Sequence, residues 1–124
     1  MPTEGGAYQP RLRQPAPPTP ITTIQDALVD PDVTGAGAYW INKATAAAVT
    51  LVAASTVPLG TEIRFVAGTA VAHVVTAQSG GIFDGTTGAK TKWTSAAFIG
   101  SSITLIAAPN GGWAVLAQQL GTVA

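Results

Sequence analysis

Glycine and proline punctuate this chain so densely that the runs between them are short. Fourteen glycines and nine prolines stand among 124 residues. Many of the intervening runs alternate apolar and polar residues. An alternation of period two puts every second side chain on one face of a strand, whereas a helix needs apolar residues every three to four positions. Thr61 to Val66 is the clearest case, with Ile63 and Phe65 on one face and Glu62 and Arg64 on the other. Gly68 breaks that run. Val71 to Thr76 resumes it, with Val71, His73 and Val75 on one side, and the spacing predicts a hairpin. Ser102 to Ala107 and Trp113 to Ala117 flank the turn Pro109-Asn110-Gly111-Gly112, and Asn-Gly between two alternating runs is a strong hairpin signal.

Further strand candidates are Ile21 to Ile24, Tyr39-Trp40-Ile41, Val49 to Ala53 and Thr91 to Thr94. The alanines of Ala44 to Ala48 would suit a helix, but Thr45 and the β-branched residues downstream favour an extended chain. One helical turn fits around Asp26 to Val29 and nothing longer. Asp30-Pro31-Asp32 and Gly35-Ala36-Gly37 are breakers, and the glycine-rich stretch from Gln78 to Lys90 is a loop. Short strands between frequent turns predict an all-β domain over residues 21–124. The expected form is a compact β-sandwich or barrel, jelly-roll or tulip-like.

Residues 1–20 differ in kind. They hold six prolines: Pro2, Pro10, Pro15, Pro17, Pro18 and Pro20. Proline fixes φ, lacks the amide hydrogen and pushes its predecessor away from helical geometry. An extended, proline-rich N-terminal arm with no core of its own is the expectation. Its anchors would be Tyr8, Arg11, Leu12 and Arg13, ordering against a neighbour.

The composition bounds the partners. Hydrophobic residues make up 47% of the chain and charged residues only 10%, against about 25% charged in an ordinary soluble domain. A small domain exposes much of its chain, so a surface this neutral suits burial against copies of itself or a partner. Six basic and six acidic residues cancel, which leaves no electrostatic footprint for nucleic acid or an anionic membrane. No run of about 18 apolar residues is present, and the first residues lack the basic start and apolar core of a signal peptide. Use without Sec-type export is the expectation. Cysteine is absent, so neither disulfides nor thiolate metal sites can form.

Catalytic groups are scarce. His73 is the sole histidine, lies between valines, and has no second ligand at metal-binding spacing. It is expected to face inward or toward an interface, hydrogen-bonded to a neighbour. A trio of Ser79, His73 and Asp84 can be written down, but nothing favours it over others. Asp26, Asp30 and Asp32 do not follow the spacing of a calcium loop. The glycine pairs at Gly80 and Gly111 precede no helix start or Gly-Lys-Ser/Thr, so they are not phosphate cradles. A non-catalytic protein without cofactor or metal is expected. Phe65, His73, Trp93, Phe98 and Trp113 are the candidates for the core or a subunit interface, and Trp93, Phe98 and Trp113 would also suit a sugar platform.

The second half also carries a resemblance. Thr61-Glu62-Ile63-Arg64-Phe65-Val66 is followed by Ala72-His73-Val74-Val75-Thr76 and then by a glycine-rich loop holding Phe83-Asp84-Gly85. Lys92-Trp93-Thr94, Phe98 to Ala107 and Asn110-Gly111-Gly112-Trp113-Ala114-Val115-Leu116 complete the series, and Trp40 to Leu51 precedes it. In order and spacing, this resembles a β module of tailed-bacteriophage virion proteins, the capsid decoration (cement) and head-fibre proteins. The likeness covers about Tyr39 to Leu116. One departure is Ala107-Ala108-Pro109, where a glycine-tyrosine pair is usual. The resemblance implies a homotrimer on the outer capsid surface of the virion, made in the host cytoplasm and seated where major capsid proteins meet. It would clamp them and stabilise the head, the arm making the contact. The alternative is a head-fibre or tail-fibre receptor-binding module for host-surface glycan. A small hydrolase and a cellular adhesion sandwich are less favoured.

Overall fold

The computed structural model describes residues 21–34 and 37–124. Among these residues eleven strands form two sheets that face each other across one core. They are β1 (Ile21–Ile24), β2 (Ala27–Val29), β3 (Ala38–Ile41), β4 (Ala48–Leu51), β5 (Glu62–Ala67), β6 (Val74–Ala77), β7 (Ile82–Phe83), β8 (Lys92–Thr94), β9 (Ser102–Ala107), β10 (Trp113–Gln119) and β11 (Thr122–Val123). The only α-helix among the described residues is the single turn α1 (Pro31–Thr34). Asp30 starts it by accepting the N–H of Asp32 at 3.1 Å, with Pro31 at a position that needs no amide hydrogen. The all-β expectation holds. The helical turn lies just after Asp26–Val29, however, and Ala27–Val29 is a strand.

The connectivity differs from a jelly roll. The first sheet has the order β1-β3-β5-β9-β10-β7 and the second β11-β8-β6-β4-β2. From β1 to β6 the chain changes sheet after every strand, so consecutive strands face each other across the core instead of pairing. Both ladders are parallel there: β1 with β3 and β3 with β5, β2 with β4 and β4 with β6. From β8 onward the pairings β5–β9, β9–β10, β6–β8 and β8–β11 are antiparallel. The molecule thus joins a wound parallel stack to an antiparallel half.

One expected hairpin is absent and one forms. β5 and β6 lie in different sheets, so Thr61–Val66 and Val71–Thr76 do not pair. The chain crosses over at Gly68, where a Cβ would overlap the Trp40 indole and lie 2.8 Å from the Ile41 carbonyl. The second strand also begins later than its alternation suggests. The Ser95 hydroxyl accepts the His73 N–H at 2.8 Å and donates to the Val71 carbonyl at 3.2 Å, holding Val71 to His73 outside the ladder. By contrast β9 and β10 form the Asn-Gly hairpin. Gly111 takes φ +83, and Asn110 Oδ1 accepts the Gly112 N–H at 3.0 Å.

The core is filled by the inward residues of both sheets. Ile63 and Phe65 of β5, Ile103 and Leu105 of β9, and Trp113 of β10 meet Val49 and Leu51 of β4, Val75 of β6 and Trp93 of β8. Tyr39 stacks on Phe65 with ring centroids 5.4 Å apart.

Candidate functional site

His73 is fully buried at the entry to β6, and both ring nitrogens are engaged. Nδ1 accepts the Ala47 N–H at 3.0 Å, so the ring hydrogen sits on Nε2. Nε2 meets Thr69 Oγ1 at 2.7 Å, and that hydroxyl donates to the Lys43 carbonyl at 2.5 Å. Burial, and secondarily the charge of Lys43, push the imidazole below the ordinary histidine range. A neutral ring suits this position, because a proton on Nδ1 would face the Ala47 N–H. The chemistry is that of a tie between crossovers. Neither Ser79 nor Asp84 is a hydrogen-bond partner of the ring; Ser79 is exposed, and Asp84 bonds Thr86 and Lys90.

The carboxylates serve loops. Asp26 takes the Lys43 ammonium at 2.6 Å and the Ala48 N–H at 2.8 Å, joining the β1–β2 turn to the β3–β4 connection. Those two contacts, the lysine first, lower its pKa, and Lys43 adds its charge. Asp84 accepts the hydroxyl and the N–H of Thr86, with Lys90 alongside, and these hold it at about 2. Sequence reasoning missed Asp26, Thr69 and Ser95 as structural ties, since each partner lies on a distant segment. No group of three His, Cys, Asp or Glu able to hold a metal occurs among the described residues. Nor is any described helix long and apolar enough to cross a membrane.

Of the aromatic candidates, Phe65, Trp93 and Trp113 lie in the core together with His73. Trp113 donates its indole N–H to the Val52 carbonyl at 2.9 Å, while the buried Trp93 indole N–H has no hydrogen-bond partner among the described residues. Phe98 stands apart, 65% exposed beside exposed Ile99 at a loop tip. A platform of all three rings is therefore ruled out by burial. The arm residues Tyr8, Arg11, Leu12 and Arg13 lie outside the described residues.

The outer faces of both sheets and the sheet ends remain open to a partner, and two shallow recesses lie on the outer face of the first sheet. On that face Arg64 donates through Nε to Thr104 Oγ1 at 3.0 Å. Arg64 and Thr104 separate the two recesses. One, of about 220 Å³, includes Ala38 and Glu62; the other, of about 460 Å³, includes Ser102, Ala117 and Gln119. Small hydroxyl, amide and methyl groups around one guanidinium suit a polar protein surface better than they suit a reaction. Compared with known proteins, the chain matches no family model and no curated protein.

Proposed function

We propose that this chain is a capsid decoration protein of a tailed bacteriophage, binding the outer capsid surface of the virion as a homotrimer and clamping adjacent major capsid proteins. The observation that carries the reading is the ordered series of segments from Tyr39 to Leu116 and its resemblance to phage decoration and head-fibre modules. Its physical support is a low-charge domain whose histidine, ion pairs and most buried polar groups are spent on internal ties, leaving neutral surface and open sheet edges. Such a body works by covering and being covered, with no chemical step, cofactor, nucleic acid or membrane. Tyr8, Arg11, Leu12 and Arg13 supply the capsid contact. Three arms on one trimer add avidity, because each arm after the first binds at high effective concentration.

Co-sedimentation with undecorated, expanded capsids tests this. Full-length protein should bind saturably at a fixed ratio to the capsid protein, and protein lacking residues 1–20 should stay folded but unbound. Full occupancy without the arm would refute the arm contact, and no binding by the full-length form would refute decoration. The exposed Phe98–Ile99 tip favours a second reading, a head-fibre or tail-fibre module that binds host-surface glycan. A glycan array separates the two, since a decoration protein should retain no sugar.

A further inference from the structure

The two ends of the stacked sheets have matching strand directions. In the first sheet β1, β3 and β5 are parallel, and β9 reverses before β10 reverses again, so β10 runs in the direction of β1. In the second sheet β2, β4 and β6 are parallel and β8 and β11 alternate, so β11 runs in the direction of β2. One end of the molecule therefore shows β1 and β2 side by side; at the other, β11 and the part of β10 that the outermost two-residue β7 leaves uncovered run in the directions of β2 and β1.

Both ends expose backbone groups. The Asn42 N–H bonds the Ile24 carbonyl, which turns Ile24 and Thr22 toward β3 and leaves the groups of Ile21 and Thr23 facing outward. The Val52 N–H bonds the Val29 carbonyl, so the groups of Leu28 face outward on β2. At the far end β7 covers only Trp113 and Ala114 of β10, and Leu116 to Gln119, with Leu120 after them, are all exposed. No strand among the described residues covers these edges. The usual protections are thin. β1, β2, β11 and the open part of β10 carry no charge and no proline, and the one irregularity is a bulge at Leu116. Ile21 and Leu28 at one end, and Leu116 and Leu120 at the other, are each more than half exposed.

We propose that these ends bind each other: the β1–β2 end of one copy seats on the β10–β11 end of a second copy, so that both sheets continue across the contact. A second copy is the occupant that matches both edges at once, because the separation of the two sheets is fixed by the same core at each end. Residues 1–20, with six prolines lacking amide hydrogens, are a poor ladder partner. The contact is heterologous, and it closes into a ring or runs on as a filament according to the rotation between copies. It takes up the self-association in the reading above and does not depend on the capsid.

Sedimentation velocity on the purified full chain, without capsids, is the test. Wild type should associate as concentration rises. A head-blocked variant (Thr23→Pro with Leu28→Lys) and a tail-blocked variant (Leu116→Lys with Leu120→Lys) should each sediment as monomers with native circular dichroism. Mixed in equal amounts they should form a one-to-one pair and nothing larger, since each keeps one competent end. If a double variant loses its fold, the exposed single changes Leu28→Lys and Leu116→Lys carry the same mixing experiment, each weakening self-association at least tenfold. A wild type that stays monomeric overturns the proposal. So does a tail-blocked form that associates like wild type, which would mean β1 and β2 pair with themselves, or a mixture that stays monomeric. Association that appears only after residues 1–20 are removed would make that segment the occupant. Because no capsid is present, failure here leaves the decoration reading standing.

Discussion

The wound half, β1 to β6, and the antiparallel half, β8 to β11, share one core but hold their chain crossings in different ways. In the antiparallel half the β9–β10 reversal is made by neighbouring residues: Pro109, Asn110 and Gly111 shape a turn whose hydrogen bonds stay within it. In the wound half each crossover leaves one sheet for the other, and those at Asp26, Lys43 and Thr69 take their ties from far along the chain. Asp26 reaches Lys43 and Ala48, Thr69 reaches Lys43, and His73 reaches Ala47. Local turn chemistry thus secures the β9–β10 reversal, and long-range polar contacts secure these crossovers of the wound half. Damage to single side chains should fall unequally on the two.

The largest expected effect is His73→Ala. It strands the buried Ala47 N–H, removes one of the two partners of the Thr69 hydroxyl and opens a cavity, which should cost about 4 kcal/mol. Denaturant titration measures it, and a loss no larger than that of Asn110→Ala would erase the contrast between the halves. Next come two glycines. Gly68→Ala drives a methyl group into Trp40 and should cost about 3 kcal/mol, whereas Gly111→Ala meets nothing within 4 Å and carries only the strain of positive φ, about 1–2 kcal/mol. Thermal midpoints of the two variants rank them.

The two core tryptophans sharpen the comparison further. Trp113→Phe removes the bond to the Val52 carbonyl, which spans the two sheets, and should cost about 1–3 kcal/mol more than Trp93→Phe, which removes an N–H that has no partner among the described residues. The smallest effect is in pH. The folded-state pKa of His73 lies below its unfolded value, so the unfolded chain takes up the proton first. Stability is then complete above about pH 6.5 and falls as pH drops below it. A folded His73→Gln variant should lose the dependence that sets in below about pH 6.5 and keep the decline below about pH 4 that belongs to Asp26 and Asp84. Unfolding midpoints across that range decide it.

The same contrast governs what could be foreseen. The inward face of Ile63 and Phe65 and the β9–β10 hairpin follow from spacing and turn residues that lie within a few positions of one another, whereas spacing leaves His73 facing either the core or an interface. The crossover from β5 to β6 does not follow from spacing, because alternation on both sides of Gly68 looks alike whether the strands pair or face each other across a core. Only the bulk of Trp40 against Gly68 and the demand of the His73 ring distinguish the two. Phe98 shows the corresponding limit for a site: an aromatic beside an alternating run signals a core or interface residue, and its exposure at a loop tip excludes the core alone.

The position of β1 has a mechanical consequence. A load transmitted through residue 20 enters the domain at an outermost strand of four residues, joined on one side to β3. Pulled along its own direction, that strand shares the load over all its ladder bonds at once. Pulled sideways, it peels one bond at a time and yields at far lower force. A tether fixed at this point is strong in one direction and weak in the other.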